Sequence, residues 1–144
     1  MVAIGSGDAA DAGRELLAAL GAQVSDADAH ADALVLDAAG AAGPGLADAL
    51  SETWTHVHAY AGQLIEAQRG GRILLIAPPE EAAAAALENL ARTLSVEWAR
   101  RAITVVAIAR DEQTSAADVA TLVAYLCSPA GEYFSGCLLD LRGP

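Results

Sequence analysis

The sequence predicts a three-layer α/β fold on a mostly parallel sheet of about five strands. Three observations predict it: short apolar runs alternate with stretches of helical spacing, one run is apolar on both of its alternating faces, and the first run ends in a glycine turn that opens a helix. A length of 144 residues matches one compact unit, read as a single domain over residues 1–144. Hydrophobic residues make up 54% and charged residues 19%, far from a composition that stays disordered.

The elements follow in order. Val2–Ile4 is a short apolar run ending at Gly5-Ser6-Gly7, and Leu16, Leu17 and Leu20 then mark one face of a helix closed by Gly21. Residues 33–36 form a second run, followed by a loop containing Gly40, Gly43, Pro44 and Gly45. Leu46, Leu50, Trp54, Val57, Ala61 and Leu64 recur at steps of three and four, which makes one face of a long helix that ends by Gly70-Gly71. Residues 73–76 are apolar at every position, as a strand covered on both sides must be. Pro78, Pro79, Glu80 and Glu81 suit the start of the next helix, predicted over residues 81–101. Ile103–Ala109 is the next strand, Ser115 is the N-cap of a helix faced by Val119, Leu122, Val123 and Leu126, and residues 137–141 supply a last strand.

Nineteen acidic against eight basic residues give a net charge of -11, which repels phosphate backbones and anionic lipid, so neither nucleic acid nor a membrane is an expected partner. With no signal-peptide pattern and no membrane-spanning apolar run, the chain is expected to be cytoplasmic. Cys127 and Cys137 fit neither a zinc site nor a redox dithiol and read as small apolar fillers. Glu52 and His56 at i, i+4 read as a helix-surface pair, and no third ligand makes a metal site with them. Ser6, Ser95 and Ser115 lack the context of a nucleophile.

From residue 70 to 143 the order of residues resembles the second half of the short-chain dehydrogenase/reductase family. Gly70-Gly71-Arg72-Ile73 is similar to that family's central strand, residues 85–90 with Glu97-Trp98 to its active-site helix, Ile103–Ala109 to the strand after it, and Ser128-Pro129 with Ser135-Gly136 to the turn into its final strand. The first half resembles it more loosely, through Gly21-Ala22, Asp37-Ala38-Ala39-Gly40, Trp54 and Val57. The resemblance implies a shortened Rossmann-like fold. Between Val24 and Ala33 there is no room for the strand-helix-strand that completes the nucleotide-binding half, and a substrate loop is missing after Ala109.

The resemblance also implies where hydride-transfer chemistry belongs, and all four positions are replaced. Ala84 stands at the lysine position, Glu80 at the tyrosine, Pro78 at the serine and Ala61 at the asparagine. Arg110-Asp111 replaces the Pro-Gly that leads the family's chain over the nicotinamide. Of the cofactor turn Gly5 and Gly7 remain, but Asp8 and Asp11 bring negative charge to the place of the phosphates, so no cofactor is expected. The expectation that follows is an inactive subunit, not an enzyme on its own, docked on a full-length dehydrogenase of the same family in a hetero-oligomer. By analogy that complex is given a hydroxyacyl thioester as substrate. Its interface is expected at Trp54, Leu87, Leu90, Leu94, Val96 and Trp98. A second reading is a self-associating homodimer that takes a small ligand in the former cofactor cleft, and a third is an enzyme using Glu80 or Asp37.

Overall fold

The computed structural model describes residues 1–5, 8–26, 30–38 and 45–143, with the side chains of residues 8 and 9 left aside. Gly7 of the glycine turn, and Gly40, Gly43 and Pro44 of the expected loop, lie outside the described residues. The chain runs β1 (Val2–Ile4), α1 (Asp8–Ala19), β2 (Val24–Ser25), β3 (Ala33–Asp37), α2 (Leu46–Glu66), β4 (Gly71–Ile76), α3 (Glu81–Trp98), β5 (Ile103–Ala109), α4 (Ala116–Cys127) and β6 (Cys137–Asp140). A 3-10 turn, Ala99–Arg101, extends α3 to the end expected for it.

The strands form one sheet in the order β2-β1-β3-β4-β5-β6, and all its pairings are parallel. This is the three-layer Rossmann-like architecture, with six strands where about five were expected. The added strand is β2, only two residues long, whose Val24 and Ser25 pair with Val2 and Ala3. Its brevity hid it: two half-buried residues carry no periodicity. The gap between Val24 and Ala33 therefore does hold one strand of the nucleotide-binding half.

Alternation along β4 and β5 assigns each residue to one of two cores. Ile73, Leu75, Val105 and Ala107 pack beneath α2 and α3, where Leu64, Leu87, Leu94 and Trp98 meet them. Leu74, Ile76, Val106 and Ile108 point the other way, into the layer of Leu17 from α1 and Val119, Val123 and Leu126 from α4. The helix ends are closed locally. Gly21 adopts φ +86°, the left-handed conformation that lets its own N–H and that of Ala22 reach back to Ala18 and Leu17 at the end of α1. Ser115 caps α4 by accepting from the Asp118 N–H. The Arg72 guanidinium donates to the Leu126 and Ser128 carbonyls at 2.7 and 2.5 Å, tying β4 to the carboxyl end of α4. Pro78 and Pro79 precede the extended N-cap Glu80 instead of entering α3.

This packing corrects half of the expected interface. Leu87, Leu94 and Trp98 are buried inside the chain at 0%, 2% and 6% exposure, because α3 turns its Leu87–Leu94–Trp98 stripe onto the sheet. Val96 and Trp54 remain exposed, and Leu90 is half-buried. Replacing Leu94 with alanine opens a cavity under α3, and is expected to lower unfolding free energy by about 2–5 kcal/mol in urea titrations.

Candidate functional site

In an open parallel sheet, ligands bind beyond the carboxyl ends of the strands, at the point where the strand order reverses. Here that point lies between β1 and β3, since the chain moves outward from β1 to β2 and returns to β3 on the other side. Gly5 follows β1, its N–H donating to the Val35 carbonyl, and α1 begins three residues later. Asp26 directly follows β2. Its carboxylate meets Arg14 of α1 at 2.9 Å, and Arg14 also donates to the Ile4 carbonyl at the end of β1. The consecutive elements α1 and β2 thus set a basic and an acidic side chain near the end of β1. Sequence reading missed Asp26 because it missed β2.

A second group crosses the ends of β3, β4 and β5. Register aligns Asp37 with Ile76 and Ile76 with Ile108, so Asp37, Ala77 and Arg110 arrive at one edge. The Arg110 Nε donates to the Ala77 carbonyl at 3.2 Å, and an Nη2 hydrogen is directed at Asp37 Oδ1 at 3.4 Å. The Asp37 side chain is wholly buried and that of Arg110 is 17% exposed. Beside them, Asp111 accepts from the Gln113, Thr114 and Gly143 N–H groups and the Thr114 hydroxyl. These bonds, the one from Gly143 foremost, hold its carboxyl below the usual range. Asp111 is thus occupied in fixing the approach to α4.

The four positions at which the resemblance sets hydride-transfer residues fall as follows. Ala61 and Ala84 are buried in the core beneath α2 and α3, Pro78 lies just beyond β4, and Glu80 is exposed at the N-cap of α3. None brings a hydroxyl or amine to the edge. Glu80 and Asp37 differ sharply in setting: Glu80 is exposed, and Asp37 is buried beside the Arg110 guanidinium. Glu52 and His56 stand 3.9 Å apart on the surface of α2, and among the described residues no three His, Cys, Asp or Glu side chains converge as metal ligands. No helix of the described residues is long and apolar enough to cross a membrane.

Another cleft lies elsewhere. About 800 Å³ opens at the amino ends of the strands, between Leu17 and Leu20 of α1 and Cys127 with Tyr133 beyond α4. Its half-buried cation, Arg72, is spent on the carbonyls of Leu126 and Ser128, which leaves mainly apolar walls. Cys127 is held as a thiol there: burial pushes it up to about 11, against a smaller opposing effect of Arg72.

With this geometry in hand, comparison with known proteins gives a consistent fold. No family model matches the sequence, and no curated protein does. Among solved structures, acetoin dehydrogenase from Salmonella typhimurium is 23% identical with a TM-score of 0.64, over 95% of this chain and 69% of that one. The 3-alpha-hydroxysteroid dehydrogenase from Pseudomonas sp. B-0831, complexed with NADH, is 19% identical with a TM-score of 0.74, over 99% and 94%. The 4-hydroxyisoleucine dehydrogenase complexed with NADH and succinate is 14% identical with a TM-score of 0.75, over 99% and 98%. The fold is therefore the Rossmann-like fold that these dehydrogenases share. These structures overturn the expectation of an inactive, pseudoenzyme subunit confined to a hetero-oligomer: they are dehydrogenases, and the likeness gives no ground for an inactive partner.

The Cys127 setting has a measurable consequence. A thiol raised from 9.0 to about 11 by folding favours its protonated form in the native state, so its contribution is intact below pH 9 and is lost as pH rises toward 11. Urea midpoints measured from pH 8 to 11 are expected to fall more steeply for the natural chain than for Cys127→Ala.

Proposed function

We propose that the chain is a dehydrogenase-fold protein that binds a ribose-bearing ligand of the adenosine class in the crevice between β1 and β3, and that it works as a homodimer. The observation that carries the ligand reading is Asp26. In dinucleotide-binding folds an acidic residue about 20 positions after the glycine turn accepts from the adenosine ribose hydroxyls. Asp26 has that spacing from Gly5 and that position at the end of β2, and its carboxylate is 92% exposed. Arg14 orients it from α1 at 2.9 Å.

NADH is bound by two of the dehydrogenases of this fold, which makes it the natural first probe. The adenosine half of such a ligand suits Asp26. The diphosphate half is less well matched, since the start of α1 carries Asp11, whose charge opposes phosphates at a helix N-terminus. Recognition is accordingly assigned to the ribose. Titration of NADH by fluorescence and of adenosine by calorimetry is expected to show both binding, and Asp26→Ala is expected to weaken each about tenfold, the loss of one charged hydrogen-bonding group. Unchanged affinities in that variant would remove the basis of the reading.

Self-association is supported by the outer faces of α2 and α3. Leu50 and Trp54 face Ala86, Asn89, Leu90 and Thr93 across a groove of about 310 Å³, and Trp54 is 42% exposed. Val96 continues the α3 face one turn on, at 78% exposure. A large aromatic and an aliphatic residue on adjoining helices make the apolar centre a homodimer buries. Light scattering is expected to give twice the 14.6 kDa chain mass, and Leu90→Asp is expected to raise the dimer dissociation constant at least tenfold.

A further inference from the structure

Beyond the ribose reading, and not dependent on it, the Arg110 guanidinium presents donors at the carboxyl edge of the central strands that no described group uses. We infer that Arg110, oriented by Asp37 and the Ala77 carbonyl, is the anchor for the carboxylate of a small organic acid.

A guanidinium carries five N–H donors in a fixed fork. Two of them, on Nε and Nη2, are directed at Ala77 and Asp37, and Nη1 makes no hydrogen bond among the described residues. Four other arginines, Arg14, Arg69, Arg92 and Arg142, sit 2.5 to 2.9 Å from a carboxylate. Arg72 is spent on carbonyls, while Arg100 and Arg101 precede β5 and so lie at the opposite edge of the sheet. Arg110 differs from these in three ways: it spans the ends of β3, β4 and β5, its ion-pair distance is 3.4 Å, and its side chain is 83% removed from solvent while still reachable. A partly desolvated cation gains more from an incoming anion than an exposed one does.

The charge balance selects the class of anion. Asp37 is already beside the guanidinium and the chain carries a net charge of -11, so each added unit of negative charge is costly. A planar carboxylate group brings one charge and two acceptor oxygens that match the fork. A phosphate brings up to two charges to the same place. Asp37 then acts as a positioning residue, holding one side of the guanidinium while the side bearing Nη1 receives the ligand. This edge is also where the family's Pro-Gly stands in place of Arg110-Asp111, so the anchor belongs to this chain's own residues.

The test is isothermal calorimetry on the full chain with succinate, inorganic phosphate and sodium chloride at matched ionic strength. Succinate is expected to bind saturably, and phosphate at least threefold more weakly. Arg110→Gln alone leaves the Asp37 charge buried without its cation and risks unfolding, so the double variant Asp37→Asn with Arg110→Gln neutralises both groups without adding bulk. In that variant, checked for fold by circular dichroism, the succinate dissociation constant is expected to rise at least tenfold. Arg110→Lys, which keeps the charge and loses the fork, is expected to show an intermediate loss. Asp26→Ala is expected to bind succinate as the natural chain does, which separates this inference from the ribose reading. Absence of saturable succinate binding, an unaltered constant in the folded double variant, or phosphate binding tighter than succinate would each overturn it.

Discussion

A parallel sheet cannot expose a face to water, since the crossovers that join its strands lay helices over both sides, and every strand inside it must then be apolar at each position. β4 and β5 obey this over residues 73–76 and 105–109, sending Ile73, Leu75 and Val105 one way and Leu74, Ile76 and Val106 the other. Their register sets the rest of the molecule. It decides which strand ends come level, so it places Asp37, Ala77 and Arg110 on one edge and leaves Arg72 on the other to close the end of α4. The two helix layers are present because this sheet requires them, and the outer faces of α2 and α3 are what remains after that requirement is met.

Charge is the second organising constraint. All eight basic residues are arginines, and most are engaged by carboxylates or carbonyls, so the acidic surface has few cations to offer. A cation held partly out of water at the sheet edge is therefore conspicuous on chemical grounds. So is the contrast between the two acidic groups of that edge, with Asp111 absorbed by backbone N–H groups and Asp37 set against a guanidinium. Ala61, Ala84 and Pro78 stand where the resemblance sets hydride-transfer residues. They do not by themselves make the scaffold inert, because the edge that carries chemistry in this fold is populated by other residues.

How much was legible in the sequence varied with how many residues carried each signal. The bounds of Val2–Ile4 and Ile103–Ala109, the long α2, the Ser115 cap and the resemblance in the second half could all be read, because each rests on a run of side chains or on a local bond. β2 could not. A two-residue strand held by backbone pairing to Val2 and Ala3 has no side-chain period, and with it went Asp26. α3 shows the opposite failure: its abundance of apolar residues suggested a surplus for a partner, but the sheet consumes Leu87, Leu94 and Trp98, leaving Val96 exposed and Leu90 half-buried.

The sequence by itself determined the architecture, through apolar runs whose period and length admit only strands buried on both faces and helices buried on one. Only the tertiary structure decided which residues meet. Asp37 and Arg110 are 73 positions apart in the chain, and Arg14 meets Asp26 across the end of a strand that no pattern announced. Pairing register and the direction of a crossover are global properties of the sheet, set by the packing of all its strands together, and no local stretch of sequence contains them.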